Sequence, residues 1–132
     1  MSSSLQDAAG SAAVATRLGE LPVITKRGGE MRFLSTPTAT GSKHHIFGHL
    51  VLQPGEEVAD HLHDYGEESL FVLSGAGVIR AGGVDHALEP GVCVFLPKGI
   101  AHSVKVVGTK ALVAVFASAP LAPNPQIGHR EL

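Results

Sequence analysis

The sequence predicts an all-β jelly roll or sandwich, and three observations lead there. Short apolar runs recur along the chain, each bounded by Gly, Pro or both, as expected of strands closed by tight turns. Glycine is abundant, at 16 of 132 residues, while aromatic residues are sparse and Trp is absent, which suits many short strands joined by turns. The spacing of runs and turns implies a sandwich or jelly roll and not a parallel α/β sheet.

Taken in order, residues 1–20 read as a flexible arm or short Ala-rich helix, ahead of a single domain over 21–132. Val23-Ile24 and Met31 to Leu34 are strand candidates on either side of Gly28-Gly29. Ile46 to Leu52 is a strand closed by the turn Gln53-Pro54-Gly55. Val58 to His63 and Ser69 to Leu73 follow. Val78 to Arg80 and Val84 to Leu88 flank Gly82-Gly83 as a hairpin. Glu89-Pro90-Gly91 leads into Val92 to Leu96, and Pro97-Lys98-Gly99 into Ser103 to Val107. Ala111 to Ala117 is uninterrupted and apolar, as in a central strand buried on both faces. From Ser118 the tail carries Pro120, Pro123 and Pro125 and reads as an extended strap.

Composition excludes several functions. A net charge of −2 provides no electrostatic footprint for nucleic acid or an anionic membrane. The single cysteine, Cys93, cannot form an internal disulfide, reads as a buried small hydrophobe, and makes the cytoplasm the default compartment. Met1 to Thr16 is Ser/Ala-rich, but Asp7 interrupts it and no basic segment precedes it, so it resembles neither a signal peptide nor a membrane span.

Two spaced motifs carry chemistry. The first runs Gly55, His61, His63, Glu68, Gly75, and the second Gly91, Pro97, Gly99, His102. His61 and His63 are two apart, so on a strand both imidazoles point to one face. Three imidazoles and a carboxylate form a ligand set for one divalent transition metal, with room for water or substrate. A lone histidine would read as a surface or capped core residue, but three in register with a carboxylate favour a site. Glu68 has a second reading, as a rim carboxylate beside a three-histidine metal. By strand parity Leu70 and Val72 share the inward face with Glu68, and Val104 and Val106 share it with His102. His49, with Phe47 and Val51 on its face, reads as a pocket-lining residue more than a ligand. His44, His45, His86 and His129 read as surface residues. Tyr65, the sole tyrosine, sits between ligands, where it packs or contributes acid/base chemistry. Phe71 and Leu73 fall on the outer face and need cover from the N-terminal segment or a second subunit, which predicts a homodimer.

The pattern G-x5-HxH-x4-E-x6-G, fifteen residues, then G-x5-P-x-G-x2-H resembles the cupin superfamily, with Val106 where that family usually has Asn. The resemblance covers about residues 46–117. It implies a double-stranded β-helix with the metal held by His61, His63, Glu68 and His102. A narrower resemblance rests on Arg27-Gly28-Gly29-Glu30-Met31-Arg32, on Pro54-Gly55-Glu56 with His61 to Glu68, and on Ala119-Pro120-Leu121-Ala122-Pro123 with Gly128-His129. These look like the small cupins of actinomycete aromatic polyketide pathways, the tetracenomycin- and resistomycin-type cyclases. They imply aldol-type ring closure of a poly-β-ketone, held on an acyl carrier protein, by a metal-dependent enzyme. Zn2+ is the first expectation, with Fe2+, Mn2+ or Ni2+ as alternatives. An Fe/Mn-dependent oxygenase would use the same ligands, and a non-catalytic small-molecule-binding cupin is a third class. A cupin sulfonium lyase is disfavoured, because its tyrosine two residues past the ligand glutamate is Leu70 here.

Overall fold

Each run bounded by Gly or Pro from Glu30 onward forms a strand: β1 (Glu30–Ser35), β2 (Ile46–Leu52), β3 (Glu57–Leu62), β4 (Glu67–Ser74), β5 (Gly77–Ala81), β6 (Val84–Leu88), β7 (Cys93–Leu96), β8 (His102–Val106) and β9 (Leu112–Ala119). A tenth, β10 (Arg130–Glu131), ends the chain. The computed structural model describes residues 12–132. The strands form two antiparallel five-stranded sheets, in the orders β1-β2-β9-β4-β7 and β10-β3-β8-β5-β6. The Gly82-Gly83 hairpin pairs Ala81 with Val84. The Pro-containing turns close with backbone bonds from Glu56 N–H to Gln53, Val92 N–H to Glu89 and Ile100 N–H to Pro97.

Between the sheets lies one apolar core, in which Leu50, Leu52, Val72, Ile79, Leu88, Leu96 and Leu112 are almost fully buried. Its inner faces follow strand alternation, so Glu68, Leu70 and Val72 point inward from β4 while Glu67 and Phe71 point outward. In β3 alternation is broken. Val58 opposes Val104 and His61 opposes His102, so one extra residue is inserted as a bulge, and Val58 and His61 both face inward despite opposite parity.

Several expectations are corrected. In β2 the inward residues are Gly48, Leu50 and Leu52, so Phe47 and His49 face away from the core and line no pocket between the sheets. The cause is Gly48, whose missing Cβ leaves space for the Phe116 ring, with Cε1 and Cε2 2.8 Å from where a Cβ would stand. Cys93 is exposed, because β7 turns Val94 and Leu96 inward. β9 is central in its sheet, but only Leu112, Ala114 and Phe116 are fully buried, and Val113 and Val115 on its other face are half-buried. Val23-Ile24 forms no strand beyond a single bridge from Ile24 to Met31. The first eleven residues of the expected arm lie outside the described residues. The rest runs extended to a short 3-10 turn at Leu18–Glu20, where the Thr16 hydroxyl donates to the Leu34 carbonyl at 2.9 Å. The Pro-rich tail is more than a strap: after a turn at Pro125–Ile127 it returns as β10 and pairs Arg130 with Leu62 and Glu131 with His61.

Candidate metal centre

His61 leaves the β3 bulge, His63 follows one residue past the end of β3, Glu68 is the second residue of β4, and His102 opens β8 directly opposite His61. The four therefore come from neighbouring strand ends of both sheets. Ring centroids lie 4.1 Å apart for His61 and His102, 5.1 Å for His61 and His63, and 5.4 Å for His63 and His102. Glu68 Oε1 is 3.5 Å from His63 Nε2.

Backbone carbonyls orient each ring. Nδ1–H of His61 donates to Ala59 O at 2.8 Å, that of His63 to Gly128 O at 2.7 Å, and that of His102 to Ile100 O at 3.0 Å. A carbonyl only accepts, so Nδ1 carries the proton and Nε2 keeps its lone pair in all three neutral rings. Nε2 of His63 and of His102 is enclosed without a hydrogen-bond partner. Burial lowers the pKa of all three, and for His61 burial and then the neighbouring His102 bring it down to about 3. Burial pushes Glu68 up to about 7, against the opposing effect of the Arg27 charge. Neutral imidazoles with aimed, unpaired Nε2 atoms beside a carboxyl that costs energy to ionise alone are what a divalent cation satisfies. The residues present therefore fit a metal.

Two contributors escaped the sequence reading. His129, expected at the surface, is enclosed, with its ring stacked on His61 at 4.3 Å and 19°. Ligand atoms of His61, His63 and His129 lie within 4.8 Å of one another, as do those of His63, Glu68 and His102. Arg27 lines the same pocket. The Gly128-His129 and Arg27-Gly28-Gly29 stretches had marked kinship in the sequence, and they were the available signal. Leu70 and Val104 line the pocket as expected, joined by Met31, Leu50, Val58 and Phe116, while Val72 lies in the core and outside the pocket lining. Tyr65 is 40 % exposed in the turn between β3 and β4 and is not among the lining residues. His44, His45 and His86 are exposed, as expected. The half-open cavity is about 40 Å³ to a water-sized sphere, enough for an ion and a water or two.

A two-sheet antiparallel β-barrel with histidines and a carboxylate converging between its sheets defines a jelly-roll protein with a candidate metal centre. The chain belongs to the cupin family: the family profile described as Cupin domain matches residues 48–118. It is 36 % identical over 110 residues to Protein SchB of Streptomyces halstedii, covering 83 % of this chain and 80 % of that one. It is 35 % identical over 104 residues to the tetracenomycin polyketide synthase protein TcmJ of Streptomyces glaucescens, covering 79 % and 70 %. Among solved structures, a predicted oxalate decarboxylase of Thermotoga maritima superposes with a TM-score of 0.71 at 28 % identity, covering 83 % of this chain and 100 % of that one. The polyketide cyclase RemF of Streptomyces resistomycificus superposes with a TM-score of 0.71 at 18 % identity, covering 92 % and 86 %, a likeness of fold. The architecture is thus the cupin double-stranded β-helix. Among the described residues no helix is long and apolar enough to cross a membrane.

Proposed function

We propose that this cupin is a metal-dependent cyclase that closes rings on a poly-β-ketone by aldol-type chemistry, its substrate presented on an acyl carrier protein. One observation carries the reading: neutral, carbonyl-oriented imidazoles and a buried carboxylate converge on an apolar wall, in a chain 35 % identical to a tetracenomycin polyketide synthase protein. His61, His63, Glu68 and His102 would hold one divalent ion, Zn2+ being the first candidate. Such an ion, when bound, polarises a ketone and acidifies water.

The chain's own groups do the rest. Met31, Leu50, Leu70, Val104 and Phe116 form a wall that suits an uncharged polyketide and keeps competing water away from the reacting carbon. Holding one ketone against one methylene is where orientation lowers the barrier. The Arg27 guanidinium, lining the same pocket, places positive charge where an enolate oxygen develops.

Cyclisation consumes no oxygen, whereas an oxygenase on the same ligands must. The test combines the pathway's polyketide synthase with this protein, with and without oxygen, and reads products by mass. A new ring pattern at unchanged oxygen count under anaerobic conditions is expected. Product that forms only in air and gains oxygen atoms would overturn cyclisation in favour of the oxygenase.

A second copy of the chain is the proposed partner for the outer face of the first sheet. Phe71, Leu73 and Phe95 stand there 41, 47 and 55 % exposed, and Cys93 pairs with Phe71 beside them. An adjoining set of large apolar side chains on one strand pair is more than scattered surface residues require. Light scattering should give a dimer, and Phe71→Glu with Phe95→Glu should give a monomer that retains metal. A monomeric unsubstituted protein sinks this assignment.

A further inference from the structure

We infer that His129 is a further metal donor, delivered by the C-terminal strap, so that metal binding and strap docking reinforce each other. The inference rests on the metal centre described above and adds a ligand from outside its two motifs. His129 lies in the middle of a segment tied to the centre on both sides. Just before it, the Gly128 carbonyl accepts the Nδ1–H bond that orients His63, at 2.7 Å. Just after it, Arg130 donates to both carboxylate oxygens of Asp64, from Nε at 3.0 Å and an Nη at 3.1 Å, and β10 pairs along β3 opposite His61.

Held this way, the His129 ring stacks on His61 and stands edge-on to His63 at 5.5 Å. Its side chain is only 10 % exposed. Nε2 is 4.0 Å from the exposed Glu131 carboxylate, while Nδ1 is enclosed without a partner. A packing role alone does not need an enclosed nitrogen with no bond, and a cation at the centre removes that cost. His63 belongs to both groups of converging ligand atoms, with His61 and His129 in one and Glu68 and His102 in the other, so His129 stands at the same centre. With His129 the candidate donors number five, one more than the four usual for zinc, whose coordination can expand to five. Because the fifth donor sits on the strap, whatever tightens metal binding must hold the strap down, and the reverse follows by linkage.

The experiment uses the full-length protein stripped by chelator and reloaded with Co2+ or Zn2+. Affinity is read by chelator competition, coordination by the visible spectrum of the cobalt form, and strap docking by hydrogen exchange of residues 120–132. Metal should slow exchange across the strap of the unsubstituted protein. His129→Ala should weaken affinity at least about tenfold, intensify the cobalt bands as a donor is lost, and abolish the metal-dependent protection. Arg130→Ala loosens the strap and keeps the donor, so it should weaken affinity less and leave the cobalt bands unchanged. If His129→Ala keeps both affinity and cobalt spectrum, or changes them no more than Arg130→Ala does, His129 is not a ligand. His102→Ala separates the two levels of the argument: loss of metal there with retention in His129→Ala overturns only the strap donor, whereas retention in both overturns the centre itself.

Discussion

Replacing His61 or His102 by Ala is expected to lower metal affinity by at least about a hundredfold, with both sheets retained. Each histidine is buried, and each is already neutral and oriented by a backbone carbonyl. The fold should survive because the core around Leu52, Ile79 and Leu112 does not depend on the imidazoles, and alanine removes an enclosed polar ring. Two measurements check this: metal content after purification, and the rise in melting temperature on adding metal. Ligand at about a hundred times its Kd stabilises a protein by about 2.7 kcal/mol, so the rise should be plain in the unsubstituted protein and absent in both variants. Ring closure should fall in parallel. Full metal occupancy in both variants would refute the centre.

Gly75→Ala should destabilise the fold by about 3 kcal/mol or more, through a mechanism separate from the metal. Gly75 has φ of +79°, which alone costs an L residue about 1–2 kcal/mol. An added Cβ would also overlap the Ala111 carbonyl oxygen and stand 2.8 Å from Ala111 C and 2.9 Å from Leu112 Cα, all of it backbone at the start of β9. Backbone in the central strand of a sheet cannot give way as a side-chain tip can. Gly55 is the control, since its φ is +88° but open space surrounds it, so Gly55→Ala should cost only the conformational part. Urea unfolding of the two variants measures the difference. Equal losses would show that the close approach to β9 does not matter.

The contrast between these glycines reflects what was legible in the chain. Both were visible as motif positions, and Gly55 also as part of a turn; that Gly75 presses against β9 depends on residues some thirty-five positions away in sequence. The same holds for the site. His61, His63, Glu68 and His102 were legible because their spacing puts them at strand ends, and the structure brings them together. His49 and Phe47 were misread because either face of β2 could have been the inner one on alternation alone. The face carrying a glycine is the one that faces Phe116.

The sequence by itself determined strands β1 to β9, their turns and the histidine–carboxylate spacing, because each depends on a few adjacent residues. Gly82-Gly83 makes a hairpin and Pro97-Lys98-Gly99 a turn wherever the flanking strands lie. Only the tertiary structure decided which face of β2 is buried, that a bulge lets Val58 and His61 both point inward, and that the tail returns to place His129 on His61. It likewise put Arg27 into the pocket from a loop before β1. The physical reason is that turn preference is a local backbone energy, whereas facing, register and remote ligands are set by how strands far apart in sequence pack on one core.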